Sequence, residues 1–191
     1  MRNLALLDHQ IFNYFNHLAG QNHFLDKILL ILALYLIYLV PLILIILWFW
    51  SGEAKKIALK ATAAGLLAWL GFSNLIGSFY YRARPFVSQT EIKELLFHRP
   101  DRSFPSDHAA FLFALAFTFW FLKYRKLSIL IFFLAVLISV TRIIVGVHYP
   151  ADIVAGFLLG LVSAVLIWFL DKPLDKIFEP LISFFKKLRL A

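Results

Sequence analysis

The sequence predicts an all-α fold, a polytopic membrane bundle of about five transmembrane helices with an interfacial helix before it and an amphipathic tail after it. Two observations carry this. Of the residues, 62% are hydrophobic, with 21 Phe and 5 Trp, and the mean hydropathy is +0.81. Only 16% are charged, and these gather in short clusters between long apolar runs, a composition that soluble domains do not show. The net charge of +8 therefore reads as orientation-setting membrane loops, and no nucleic-acid partner is expected. The absence of Cys excludes disulfides and thiolate metal sites.

In order along the chain, Leu4, Leu7, Ile11, Tyr14, Phe15 and Leu18 recur at helical spacing opposite Asn3, Asp8, His9, Asn13, Asn16 and His17, which predicts a helix lying in the membrane interface. This segment has no basic stretch leading into a continuous apolar core and no small-residue cleavage site, so no cleaved signal peptide is expected. Residues 28–50 carry no charge over a length sufficient to cross the hydrocarbon core, which takes about 20 residues. Residues 57–81 form the second span, with Lys60 near its start and able to snorkel. The third begins at about Ser106, taking motif residues into its first turn, and closes at Lys123-Tyr124-Arg125-Lys126. Residues 127–147 and 153–170 supply the fourth and fifth. In the tail, Leu174, Ile177, Phe178, Leu181, Phe185 and Leu188 alternate with Lys172, Lys176, Lys186, Lys187 and Arg189, predicting a basic helix on an anionic leaflet that Pro180 should break or kink. No internal repeat or long linker divides the chain, so residues 1–191 read as one domain.

Five spans put the termini on opposite sides. Lys55, Lys56, Lys60, Lys123, Arg125, Lys126 and the basic residues of the tail share one side, which the positive-inside bias makes cytoplasmic. The opposite face, with the N-terminus, is then extracytoplasmic, and the setting implied is a bacterial plasma (inner) membrane.

That opposite face collects the chemistry. Arg84 follows the second span, Ser106, Asp107 and His108 open the third, Arg142 ends the fourth, and His148 and Asp152 open the fifth. Ionisable groups are costly inside a span, roughly 2.5–3.5 kcal/mol each on insertion scales, so their convergence on one face needs a reason. Phosphoryl transfer supplies one, because it asks for positioning and positive charge around three oxygens. Arg84 and Arg142 can clamp them bidentately. Ser106 stands at a helix start, where its hydroxyl and the free amides of the first turn favour an anion. A neutral imidazole can attack phosphorus if a carboxylate holds its other ring N–H, and His148 with Asp152 offers that pair. His108, on the opposite side of the phosphorus, can protonate the leaving group.

The simpler readings are local. Arg-Pro at a span end can be an interfacial anchor, and Ser-Asp-His in a row can be a helix cap. A serine-hydrolase triad is excluded by contiguity, since the three side chains would radiate from one turn without a nucleophile-elbow pattern. His9, His17, His23 and His98 read as solvated rather than as metal ligands. Gly156-x3-Gly160 reads as close helix packing.

Taken together, Arg84-Pro85, Pro105-Ser106-Asp107-His108 and Thr141-Arg142-x5-His148-x3-Asp152 resemble the three signature motifs of the type 2 phosphatidic acid phosphatase (PAP2) superfamily of membrane lipid phosphatases. The resemblance implies a helical bundle and dephosphorylation through a phosphohistidine, without cofactor or metal. It implies the roles already argued for His108, His148 and Asp152. Three positions depart from the pattern. Gly77 stands where the first motif has Lys, Asp107 where the second has Gly, and Thr141 where the third has Ser. The missing Lys removes a cation from the phosphate site, for which Arg82 is a candidate replacement. Asp107, Arg-Pro-Phe-Val and Val-His-Tyr-Pro-Ala-Asp look most like the undecaprenyl diphosphate phosphatases of the superfamily, whose activity would recycle the carrier lipid for peptidoglycan synthesis. The rivals within the class are phosphatidylglycerophosphate phosphatase, phosphatidic acid phosphatase and lipid A 1-phosphatase. Outside it, an anion channel or transporter would also place Arg and His at span ends, but with polar residues deep in the spans. Haloperoxidases that share this type of site are soluble.

Overall fold

A computed structural model describes residues 2–89 and 91–188; Arg189 of the expected tail lies outside them. The helices are α1 (Arg2–Asn16), α2 (His23–Trp50), α3 (Gly52–Phe79), α4 (Pro85–Ser88), α5 (Asp107–Phe121), α6 (Arg125–Ile144), α7 (Pro150–Phe169) and α8 (Asp171–Lys187). Among the described residues, α2, α3, α6 and α7 are long and apolar enough to cross a membrane. At 15 residues, α5 is shorter and spans about 22 Å. It can be short because it is the hub of the bundle, packed against α3, α6 and α7, with Ala109, Leu112, Leu115, Ala116 and Phe119 fully buried.

Phe113 and Phe117 of α5, Phe132 of α6 and Phe157 of α7 meet edge to face at centroid distances of 5.0–5.5 Å, the arrangement that ring quadrupoles favour. Small residues let α7 approach closely. A Cβ on Gly156 would lie 2.7 Å from Ala109 Cβ and Ser106 O, and one on Gly160 would lie 2.7 Å from Ala114 N, so the expected packing role of this pair holds. Outward, Leu42, Ile45 and Phe49 of α2, Ile129 and Phe133 of α6 and Val154, Leu158 and Val162 of α7 are exposed, as a lipid-facing surface requires.

Two expectations need correction. Lys60 does not snorkel: it is buried and paired with Asp171 at 2.6 Å and Asp175 at 2.7 Å, a buried ammonium being tolerable only with such partners. Of the break or kink expected at Pro180, the break does not occur, for α8 runs through it. The hydrogen bond it forgoes lies in a turn pinned on both sides, by Asp175 to Lys60 and by Glu179 to Lys56 at 2.7 Å. Lys172, Lys176, Lys186 and Lys187 remain exposed.

The interfacial helix α1 exposes Leu4, Leu7, Ile11 and Tyr14, as expected. Part of its polar face, however, turns into the protein. Asp8 and Asn16 are buried there beside Phe12.

Candidate active site

The site forms where four chain segments converge on the N-terminal end of α5. Ser106 is the N-cap, its hydroxyl accepting from Ala109 N, and its own amide donates to Asp152 O at 3.0 Å. The tight Gly156 contact above is what brings α7 to that point. Gly146, at φ +91°, turns the chain after α6 through a backbone conformation that side chains disfavour, so that Arg142 and His148 lie near each other. Asn16 of α1 fixes this turn to the 91–105 loop, donating to Ile144 O at 2.9 Å and Lys93 O at 3.0 Å while accepting from Lys93 N.

A cavity of about 290 Å³ opens here. Its polar lining is formed by Arg84, His98, Asp101, Arg102, Asp107, His108, Arg142 and His148, and its apolar flank by Ile37, Val40 and Pro41 of α2, Trp69 of α3 and Phe111 of α5. Two helix irregularities shape that flank. Pro41 cannot donate to the Ile37 carbonyl, and α2 tightens into a 3₁₀ turn over Leu36–Tyr38. In α3, Leu67–Ser73 widens into a π-helical turn that ends at Ser73, whose hydroxyl donates to Asp107 Oδ1 at 2.6 Å.

Among the predicted residues, Arg84, Asp107, His108, Arg142 and His148 share the cavity wall. Arg84 is anchored by Nε to Asp101 at 2.7 Å and by a terminal nitrogen to Val147 O at 2.9 Å, and the same nitrogen lies 3.5 Å from His148 Nε2. Arg142 is buried, and its Nε makes no hydrogen bond to any described residue. A buried guanidinium left short of an acceptor favours an anion beside it. His148 presents Nε2 to this cationic end. Burial, then the charges of Arg142 and Arg84, push its imidazole well below its ordinary pKa, so it is neutral near pH 7.

Asp152 lies behind His148 with 3.5 Å between Oδ2 and Nδ1, longer than a good hydrogen bond. Its oxygens are engaged elsewhere, Oδ2 by Tyr149 N at 2.8 Å and Oδ1 by Arg82 at 2.8 Å. In this geometry it acts on His148 mainly as a fixed negative charge. Ser106 is fully buried and is not part of the cavity wall. Arg82 departs most from expectation: it points away from the cavity, paired with Asp152 and Asp8 and stacked 3.9 Å over the Tyr149 ring. Two buried carboxylates outcompete a solvated cavity for its charge. Asp8 in turn accepts from Ala151 N at 2.8 Å, holding the start of α7.

Sequence reasoning missed four contributors. His98, read as solvated, lines the cavity, with burial and then the charge of Arg84 lowering its pKa. Asp101 and Arg102 stand just before the Ser-Phe-Pro-Ser-Asp-His run, and that proximity was the available signal. Asp8 offered none, being one polar residue on an amphipathic helix.

Comparisons with known proteins agree with the architecture. A family model described as the PAP2 superfamily matches residues 54–174. The chain is 30% identical over 178 residues to a Bacillus licheniformis protein named bacitracin transport permease protein BcrC, covering 93% of this chain and 86% of that one. It is 34% identical over 170 residues to an Escherichia coli (strain K12) protein named putative undecaprenyl-diphosphatase YbjG, covering 86% of this chain and 84% of the other. The crystal structure of Aquifex aeolicus LpxE matches with a TM-score of 0.66 and 24% identity over 84% of this chain and 94% of that one, a likeness of fold.

Proposed function

The chain belongs to the PAP2 superfamily, and we propose that it is a multi-pass membrane lipid phosphatase that removes the terminal phosphate of undecaprenyl diphosphate at the extracytoplasmic face of a bacterial plasma membrane. One observation carries the reading: a single cavity is lined both by Arg84, Arg142, His108 and His148 and by apolar side chains of α2, α3 and α5. That lining suits a phosphate head on an apolar tail. The volume of about 290 Å³, at the low end for small-molecule sites, suits a head group whose tail stays in the bilayer.

In the proposed mechanism, Arg84 and Arg142 hold the distal phosphate and His148 Nε2 attacks its phosphorus. A P–N bond forms as the bridging P–O bond breaks, and His108 donates a proton to the departing lipid phosphate. The imidazolium character developing on His148 is stabilised by Asp152, and Arg82 with Asp8 holds Asp152 in place. His108, now neutral, takes a proton from water as the water oxygen attacks phosphorus. The P–N bond breaks, inorganic phosphate leaves, and both imidazoles regain their starting states. No step calls for a metal.

Phosphate release by the purified protein, measured against undecaprenyl diphosphate, phosphatidylglycerophosphate, phosphatidic acid and lipid A in one detergent, tests this. The expected kcat/KM for undecaprenyl diphosphate exceeds the others by at least about tenfold, roughly 1.4 kcal/mol in transition-state binding. EDTA should leave the rate unchanged, and His148→Ala should lower it by several orders of magnitude. A clear preference for another lipid reassigns the substrate while keeping the chemistry. Absence of turnover on all four, or full activity in His148→Ala, refutes the assignment.

A further inference from the structure

Gly77 and Arg102 form a pair that the mechanism above does not use. A Cβ on Gly77 would run into Cδ, Nε and Cζ of Arg102, so the arginine stem occupies the space that any other residue at position 77 would fill. The backbone fixes the other end, through an antiparallel bridge between Ala83 and Arg102 and the Ser103 amide donating to Arg82 O at 2.8 Å. The guanidinium emerges in the cavity wall near Asn74 Oδ1 and 3.2 Å from Asp107 Oδ1, with its side chain one-fifth exposed.

The charge balance of the wall makes this position consequential. Three guanidiniums, Arg84, Arg102 and Arg142, face two carboxylates, Asp101 and Asp107. Each carboxylate already has an arginine partner, Arg84 for Asp101 and Arg102 for Asp107. Without Arg102, the Asp107 carboxylate would stand without its partner against an incoming anion, and the wall would lose one positive charge. Arg102 also reaches the wall beside Asn74 and Ser73 of α3, whereas Arg84 is tied to the Val147 carbonyl and to His148. The two cations thus reach the cavity from different elements.

We propose that Arg102 is a third phosphate-binding cation of this cavity, seated by the vacancy at Gly77, and that it favours a diphosphate over a monophosphate head group. The proposal rests on the phosphatase reading and adds a determinant of head-group choice to it.

The test compares farnesyl diphosphate with farnesyl monophosphate, which share a tail, and measures methylenediphosphonate and inorganic phosphate binding by calorimetry without turnover. Arg102→Ala should raise KM for the diphosphate and the dissociation constant for methylenediphosphonate by at least about tenfold, with the single-phosphate ligands changed less than about threefold. Gly77→Ala should reproduce the pattern by displacing the arginine, and the double variant should be no worse than Arg102→Ala alone, the non-additivity expected of one shared mechanism. Gly77→Lys combined with Arg102→Ala should recover diphosphate binding by supplying a cation from the vacated side. Equal losses for both head groups, unchanged KM, or fully additive effects overturn the proposal. If Arg102→Ala does not fold, Gly77→Ala carries the same comparison. A wild type that binds methylenediphosphonate through Arg102 yet releases no phosphate would refute the phosphatase reading alone, and turnover insensitive to Arg102 would refute this inference alone.

Discussion

Arg82→Ala separates a cation that touches substrate from one that holds the machinery. Arg82 bridges Asp152, which is wholly buried, and Asp8, which is nearly so. Truncation removes two charge-assisted hydrogen bonds, each worth about 1.5–3 kcal/mol, and leaves two carboxylates without their counter-ion. Breaking a buried pair from one side costs about 3–5 kcal/mol. Arg82 itself is one-fifth exposed, so water can enter the vacated space and the lower end, about 3 kcal/mol, is expected. The effect on catalysis should fall on kcat, because Asp152 loses the contact that aims it at His148, while KM for the lipid changes little. Asp8→Asn keeps an oxygen for Ala151 N and should cost less, about 1 kcal/mol. Equilibrium unfolding in mixed micelles gives the stability change, and phosphate release gives kcat and KM. A raised KM with unchanged kcat and unchanged stability would refute this reasoning and return Arg82 to the phosphate.

Two further predictions concern pH and topology. Because the folded-state pKa of His148 lies below its unfolded value, the stability this neutral group leaves intact at pH 7 should begin to be lost as pH falls below the unfolded value, about 6.5, and go on being lost until pH has fallen through the folded value. The acid limb of kcat/KM should correspondingly lie below that pH. Arg142→Gln removes one of the charges that depress His148 and should move the limb upward; a limb that moves downward or stays fixed contradicts the assignment. For topology, the chain has no Cys, so Cys placed singly at Ser88 and Glu53, both exposed, can be labelled in intact cells. A membrane-impermeant reagent should reach position 88 and not 53, and the reverse pattern would invert the proposed orientation.

The spans and the convergence of Arg84, His108, Arg142 and His148 were legible because each rests on a local signal, an apolar run or an ionisable residue at its end. What stayed hidden depends on pairing across long sequence separations. Asp8 and Arg82 meet over 74 positions, and no local pattern distinguishes an inward polar residue of α1 from an outward one. Part of the polar face of α1 turns inward because lipid accepts Leu4 and Ile11 where water would not, and Arg82 pairs with Asp8. Pro180 and Lys60 were misjudged for a related reason. Helix propensity and snorkelling describe a segment alone, whereas ion pairs between α3 and α8 override both.

The missing lysine of the first motif shows how far a residue-by-residue resemblance can carry. Matching the motif to the chain located an empty position at Gly77 and suggested the nearest cation in sequence, Arg82, as its replacement. Space and charge point elsewhere. Arg82 is held by two carboxylates behind His148, and the volume above Gly77 is filled by Arg102, 25 residues along the chain. A cavity that binds an anion constrains where positive charge must be, not which segment delivers it. With Asp107 in the wall, a cation near Gly77 has a second task, offsetting that carboxylate. Gly77, Arg102 and Asp107 are therefore best understood as one coupled departure from the motif pattern, in which the glycine makes room for the arginine and the arginine makes the aspartate compatible with phosphate.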